Sequence, residues 1–372
     1  MNKQMEELAQ ELLSLAGVNI NGENPWDIEV NDERLYDKVF REGTLGFGEA
    51  YMDGWWTVKK LDDFFYRVFM ANLDKEIRGN WSVLWLTITS RIFNRQSKSR
   101  SGIVGEKHYD TGNDLFTKML GEIMAYSCGY WAEADNLQDA QKAKFDLICR
   151  KLGLKSGIHI LDIGCGWGTF LKYAAQNYGV SGIGVTISKE QAKFAKEVCT
   201  GLPIEIRLQD YREVTDKFDR IVSVGMMEHV GHKNYKTYMS TANKCLKDDG
   251  LFLLHTIGSN KSEKATDPWI EKYIFPNSHL PSIKQIAEVL EGNFVMEDWH
   301  NFGSDYDKTL MAWYDNFEKF WPELKGNYDE RFYRMWKFYL LSCAGLFRAR
   351  KTQLWQIVLS KKGVSGGWKS VR

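Results

Sequence analysis

From residue 158 onward, short apolar runs alternate with helical stretches, and this alternation restricts the fold more than any other feature of the chain. Ile158–Ile163, Val180–Val185, Ile204–Leu208, Phe218–Val224 and Leu251–His255 read as strands, and Gln191–Val198 and Tyr235–Leu246 read as helices between them. Parallel strands need a crossover to return the chain, so this order predicts a doubly wound, mostly parallel sheet with helices on both faces. Asn293–Trp299 and Gln353–Leu359 add two strands, making seven. Between them Phe332, Trp336, Tyr339, Leu340, Cys343 and Phe347 recur at helical spacing. They predict a late helix, inserted where a lid would form.

The first strand runs into Ile160-Leu161-Asp162-Ile163-Gly164-Cys165-Gly166-Trp167-Gly168. Glycines there permit a tight turn and close backbone approach to a ligand. Their spacing is GxGxG, whereas a dinucleotide fingerprint has GxGxxG and an acid about 20 residues on. The second strand ends in Val185-Thr186-Ile187-Ser188, without an acid. NAD is therefore the poorer fit. The loop resembles the S-adenosylmethionine loop of Rossmann-like methyltransferases, where no pyrophosphate needs cradling; a purely structural turn is the alternative.

The rest of the chain reads differently. Leu8, Leu12, Leu13 and Leu15, then Leu35, Val39 and Phe40, fall at helix spacing, and Leu61–Leu73 is helical again. A Gly-rich aromatic stretch, Gly46–Trp56, lies between them. Residues 1–75 thus read as a small helical domain, 76–107 as a basic linker and 108–372 as the catalytic domain. The linker carries Arg78, Arg91, Arg95, Lys98 and Arg100 among Trp81, Trp85 and Phe93, with no acid from 77 to 105. Two readings stay open for it: a solvated segment packed on the core, or contact with anionic lipid headgroups, each basic residue contributing about 1 kcal/mol. Trp55 and Trp56 are amphipathic and suit a membrane interface.

Composition excludes several classes. Lys plus Arg and Asp plus Glu both number 49, which argues against a dedicated nucleic-acid binder. Hydrophobic residues make up 44%, enough for a sizeable core. The six cysteines form no CxxC pair, which disfavours a zinc site or disulfide framework and favours a reducing compartment. The acidic, amphipathic start, MNKQMEELAQELLSLAG, does not read as a signal peptide, and no apolar run approaches membrane-spanning length.

Several segments together carry a more specific likeness. They are Tyr126-Ser127-Cys128, Leu161–Gly168, Val185–Gln191, Gly225–Gly231, Leu254–Gly258, Asp267–Pro276 and Met296–Tyr306. As a set they closely resemble the cyclopropane-fatty-acyl-phospholipid synthases over essentially the whole chain. The mycolic-acid cyclopropane synthases are similar over the catalytic part and lack the N-terminal domain. The resemblance implies an S-adenosylmethionine-dependent methyltransferase fold and transfer of a methyl group to a cis double bond of a phospholipid acyl chain, the methyl becoming the ring carbon. It implies that Gly164, Gly166 and Gly168, with Asp162, Cys165 and Trp167, line the methionine end of the cofactor, with Tyr126 and Ser127 nearby. Thr186 and Gln191 stand where a ribose-binding acid is usual. Gln209, Asp210, Tyr211 and Arg212 lie where adenine normally sits. The family holds a bicarbonate ion, whose matching ligands are Cys128, Glu228, His255, the backbone at Ile257, and Tyr306. A homodimer, cytoplasmic and peripheral at the inner face of the cell membrane, is implied as well.

The chemistry asks for such residues. An alkene attacking a sulfonium methyl leaves a carbocation, and ring closure needs loss of a proton from the new methyl. The site must be dry, cation-tolerant and furnished with a base. A ring face within about 6 Å of a cation contributes roughly 0.5–2 kcal/mol. Trp131, Trp167, Trp269, Tyr273, Phe275 and Tyr306 are candidates, although ordinary core packing accounts for most of the 14 tryptophans. Histidine, tyrosine and thiol groups can donate to an anion, and Glu228 can accept from bicarbonate's own hydroxyl. Cys343 is an active-site thiol candidate on the late helix, with no nucleophilic work assigned. Water capture or reduction of the cation would give a hydroxylated or methyl-branched chain instead, and a non-catalytic lipid-binding scaffold is a further alternative.

Overall fold

The computed structural model describes residues 2–73, 113–263 and 265–372. The whole of the 76–107 stretch, with Arg78, Arg91, Arg95, Lys98, Arg100, Trp81, Trp85 and Phe93, therefore lies outside the described residues. The chain forms two compact units. The first comprises Met1–Met119, Thr266–Pro276 and Leu310–Lys351; the second comprises Leu120–Ala265, Asn277–Thr309 and Thr352–Arg372. Division by compactness is thus not division by chain order: the helical segments at 266–276 and 310–351 cluster with the N-terminal helices. Among the described residues no helix is long and apolar enough to cross a membrane.

The first unit contains α1 (Asn2–Ser14), β1 (Glu29–Val30), α2 (Arg34–Glu42), α3 (Thr44–Met52), β2 (Trp56–Thr57), α4 (Leu61–Ala71) and nearly all of α5 (Asn113–Leu120). Helix α1 buries Met5 and Leu8, while Leu15 lies beyond its end and is exposed, contrary to the spacing argument. The Gly-rich stretch becomes α3, because its glycines let neighbours approach. A Cβ on Gly48 would meet the Trp269 indole at 2.4 Å. Trp56 is fully buried and stacks on Phe47, with centroids 4.3 Å apart. It is a core anchor and not the interfacial residue its amphipathic ring suggested. Trp55 is half-buried beneath the Arg34 guanidinium, 4.6 Å from the ring.

In the second unit α6 (Leu137–Lys151) precedes the alternating region. That region runs β3 (His159–Ile163), α7 (Thr169–Tyr178), β4 (Ser181–Thr186), α8 (Lys189–Val198), β5 (Ile204–Leu208), β6 (Phe218–Val224), α9 (Met227–Val230), α10 (Tyr235–Cys245) and β7 (Leu246–Ser259). After it come α11 (Pro268–Tyr273), α12 (Ile283–Leu290), β8 (Val295–Asn301), α13 (Asp305–Leu324), α14 (Glu330–Arg348) and β9 (Thr352–Ser360), of which α11, α14 and α13 from Leu310 onward belong to the first unit. Strand order is β5-β4-β3-β6-β7-β9-β8. Pairing is parallel from β5 to β7, and β9 runs antiparallel to both β7 and β8. The expected seven-stranded, mostly parallel sheet is present.

Its strands read as continuous apolar runs because both faces are covered. Along β7, Phe252 and Leu254 join one core cluster with Tyr238, Met239, Ile286 and Leu290. Leu251 and Leu253 point the other way, into a cluster with Phe145, Ile148, Phe170, Leu171 and Ala195. The order reverses between β3 and β6, one crossover going to β4 and the next to β6. Ligands of open α/β sheets bind outside the carboxyl ends at such a switch point.

Candidate active site

The loop after β3 sits at that switch point. Val185 O accepts from both Gly164 N and Cys165 N at 3.0 Å, and Gly168 N closes back onto Cys165 O at 2.9 Å. Gly164, Gly166 and Gly168 all have positive φ, at 82°, 53° and 76°. A Cβ on Gly164 would meet Met226 at 3.3 Å, so this loop touches the turn after β6. A Cβ on Gly166 or Gly225 would meet nothing within 4 Å. The backbone here borders open space at the edge of two adjacent strands, which fits a bound amino-acid moiety. Asp162 is buried on β3, and burial alone pushes its carboxyl up to about 7. Trp167 is also buried.

At the end of β4 the Thr186 hydroxyl donates to Gln191 Oε1 at 3.1 Å, which brings these two residues together. Gln209 N donates to Thr186 O at 3.0 Å, which ties the end of β5 to the same place. Asp210 and Arg212 pair with each other at 2.6 Å near the surface, and Tyr211 packs edge-on against Tyr238, with centroids 5.5 Å apart. Ile187, 77% exposed, projects from the same edge. Sequence reasoning passed over it, though a large apolar residue directly after a strand end was a visible signal.

Glu228 follows β6 in α9 and is buried. Its Oε1 accepts from Ile257 N at 2.6 Å, while Oε2 is buried without a protein partner. Burial pushes the carboxyl up to about 7, against the opposing pull of the Ile257 N–H, its own backbone N–H and the Thr256 hydroxyl. His255 stands beside it on β7, paired with Val224 of β6. Its Nδ1 shares a 3.3 Å hydrogen bond with Gln356 Nε2, and its Nε2 is buried without a partner. Burial, and then the charges of Lys144 and Lys151, hold the imidazole well below its usual pKa, so the ring is neutral. His255 also meets Phe302 at 5.9 Å, and Phe302 meets Tyr130 at 5.3 Å.

The Cys128 segment is tied to the first turn of α13, which also carries the buried Tyr306. The Thr309 hydroxyl accepts from Gly129 N at 3.0 Å and from Trp131 Nε1 at 2.9 Å, and lies 3.7 Å from Cys128 Sγ. Asp305 accepts from Trp131 N at 2.7 Å. Burial holds the Cys128 thiol well above its usual range, so it stays protonated. On α6, Gln141 Nε2 donates to Ser127 O at 2.8 Å and Lys144 Nζ donates to Ser127 Oγ at 2.7 Å. Tyr126 and Ser127 are half-buried on the same segment. Thr309, Gln141 and Lys144 were all missed from sequence. Thr309→Val removes an acceptor shared by two donors. It is expected to destabilise by about 2 kcal/mol in denaturant unfolding, with loosened thiol protection measurable by Cys128 alkylation.

Cys343, Trp269, Tyr273 and Phe275 belong to the first unit. There Trp269 packs on Phe338, with centroids 4.5 Å apart, and Phe275 on Tyr339, at 5.7 Å. Burial raises the Cys343 thiol to about 12, so it too stays protonated.

Residues 96–357 match the family model described as mycolic acid cyclopropane synthetase. The chain belongs to this family. It is 56% identical over 365 residues to the cyclopropane-fatty-acyl-phospholipid synthase of Escherichia coli strain K12, covering 98% of this chain and 95% of that one. The solved cyclopropane synthase MmaA2 from Mycobacterium tuberculosis is 31% identical, with a TM-score of 0.65, covering 72% of this chain and all of that one. Mycolic acid cyclopropane synthase CmaA1, solved with SAH and CTAB, is 31% identical with a TM-score of 0.64, covering 71% of this chain and 99% of that one. The protein is an S-adenosylmethionine-dependent methyltransferase of the cyclopropane-fatty-acyl-phospholipid synthase kind.

Proposed function

We propose that this enzyme transfers a methylene from S-adenosylmethionine to the cis double bond of an unsaturated phospholipid acyl chain, with bicarbonate as the base. The observation that carries the reading is the pair of unpartnered buried atoms, Glu228 Oε2 in the short helix after β6 and His255 Nε2 on the neighbouring strand β7. One acceptor and one ring nitrogen, both desolvated, suit a small anion that carries its own hydroxyl.

Gly164, Gly166 and Gly168 border the seat of the amino-acid moiety, Tyr126 and Ser127 flank it, and Thr186 and Gln191 take the ribose. Gln209 to Arg212 border the adenine. The bound cofactor supplies an electrophilic methyl. The alkene carbon bonds to that methyl as its bond to sulfur breaks, leaving a cation on the neighbouring carbon; loss of one methyl proton then closes the ring. Bound bicarbonate supplies the base that takes this proton. Glu228 orients it by accepting its hydroxyl, and His255, Tyr306 and the Cys128 thiol fix its other oxygens, whereas the Ile257 N–H implied for the ion is taken by Glu228. Glu228 keeps its Oε1 on Ile257 N throughout. Phe302 and Tyr130 shield His255 from water. Cys343 is assigned to the acyl path, without covalent chemistry.

The 76–107 stretch and the N-terminal helices dock the enzyme, as a homodimer, on the anionic inner face of the membrane. Incubation with S-adenosylmethionine and unsaturated phospholipid vesicles is expected to add one CH2 to the acyl mass and make the product resist ozonolysis. Rate on anionic vesicles is expected to fall as salt rises. A gain of CH4 identifies the reduced, methyl-branched chain and a gain of CH2 plus water the hydroxylated one, and no gain refutes the reading.

A further inference from the structure

Helix α6 carries a charge in the wrong place for an ordinary amphipathic helix. Its buried stripe is Leu137, Ala140, Gln141, Lys144, Phe145, Ile148 and Lys151, so two lysines occupy core positions. Lys144 has no exposed surface. Its Nζ makes one hydrogen bond, to Ser127 Oγ, and among the described residues no carboxylate lies within ion-pair distance. Lys151 differs: it reaches His300 Nδ1 at 2.9 Å and Asp298 at 4.0 Å. A buried ammonium without an anion is expensive, because desolvation opposes the charged form.

Lys144 is also placed centrally. Its charge acts on both Cys128 and His255, two of the groups assigned to the anion, which sit on separate elements. Together with Gln141, one turn earlier, it grips the Ser127 segment.

We propose that the Lys144 ammonium is the counter-charge that holds the carbonate-type anion between Cys128 and His255. It is a positioning residue: it takes no proton from substrate, and it offsets the anion's negative charge where solvent is excluded. Burial lowers the lysine to about 7, so an arriving anion restores its charge and the two stabilise each other. The inference rests on bicarbonate being the base, and goes beyond it by naming what neutralises that base.

The test titrates bicarbonate into decarbonated enzyme. It follows turnover, the rise in melting temperature, and separately the affinity for S-adenosylhomocysteine. Lys144→Met and Lys144→Gln are expected to raise half-saturating bicarbonate at least tenfold and erase most of the bicarbonate-dependent melting shift. Affinity for S-adenosylhomocysteine stays within threefold, which also shows that the variants fold. Lys144→Arg is expected to restore most of the response. If wild type responds and the neutral variants match it within twofold, Lys144 has no such role while the base assignment stands. If wild type itself shows no response, both fall together. If the neutral variants lose S-adenosylhomocysteine binding with an unchanged bicarbonate midpoint, the charge serves the cofactor and the proposal is overturned.

Discussion

Glu228→Gln is expected to lower cyclopropane formation by about a hundredfold to ten-thousandfold, the range associated with a positioned base. The variant keeps an oxygen for Ile257 N, so the 2.6 Å bond that anchors the side chain survives. What it loses is the second acceptor oxygen, Oε2, the atom buried without a protein partner. Binding of S-adenosylhomocysteine, measured by calorimetry, should be close to wild type. Stability should move the opposite way from activity. The folded carboxyl lies at about 7 against 4.5 in the unfolded chain, so the fold binds more protons than the unfolded state between those values. Stability contributed by this group is therefore full below pH 4.5 and lost as pH rises through about 7. The penalty at pH 8 is roughly 3 kcal/mol as an upper figure. Glutamine carries no such penalty, so the variant should melt higher than wild type at pH 8 and no higher at pH 4.5. A variant that melts lower at pH 8, or keeps full activity, would remove Glu228 from the site.

Gly166→Ala is expected to weaken S-adenosylhomocysteine binding at least tenfold and depress turnover with it. Two effects add. The backbone at φ 53° costs an L side chain about 1 kcal/mol. The new methyl then projects into the open space beside the loop, where no protein atom lies within 4 Å. Strain alone would lower the melting temperature and leave affinity nearly intact; a loss of affinity larger than the loss of stability identifies the space as the cofactor's seat.

Much of the architecture was readable because covered parallel strands advertise themselves. Ile204–Leu208 and Phe218–Val224 appear at the expected bounds, and β7 is longer than expected because it continues along β9 as far as Ser259. The glycine loop was legible for the same local reason: turn, strand and helix all lie within a few residues. Three things were hidden. Helix α3 read only as a Gly-rich aromatic stretch between helices, since the indole that needs Gly48 lies more than two hundred residues away. Trp56 looked interfacial because side-chain amphipathicity says nothing about which neighbours will enclose it. Lys144 drew no notice in the sequence, where Leu137–Lys151 was not read as a helix, and only its place in the buried stripe of α6 marks it. The groups assigned to the anion were nameable from a family likeness, whereas their unpaired atoms depend on long-range partners such as Gln356 and Thr309.

The backbone passes between the two compact units at residues 119, 265, 276, 309 and 351. No single scission can therefore release either one as a continuous fragment. Helix α14, which lays Phe338 against Phe65 and Trp269, is stitched to partners drawn from two other stretches of polypeptide. A ribosome must deliver nearly the whole chain before the N-terminal helices find their mates. Trimming the first seventy residues would orphan the late helices instead of leaving a tidy remainder.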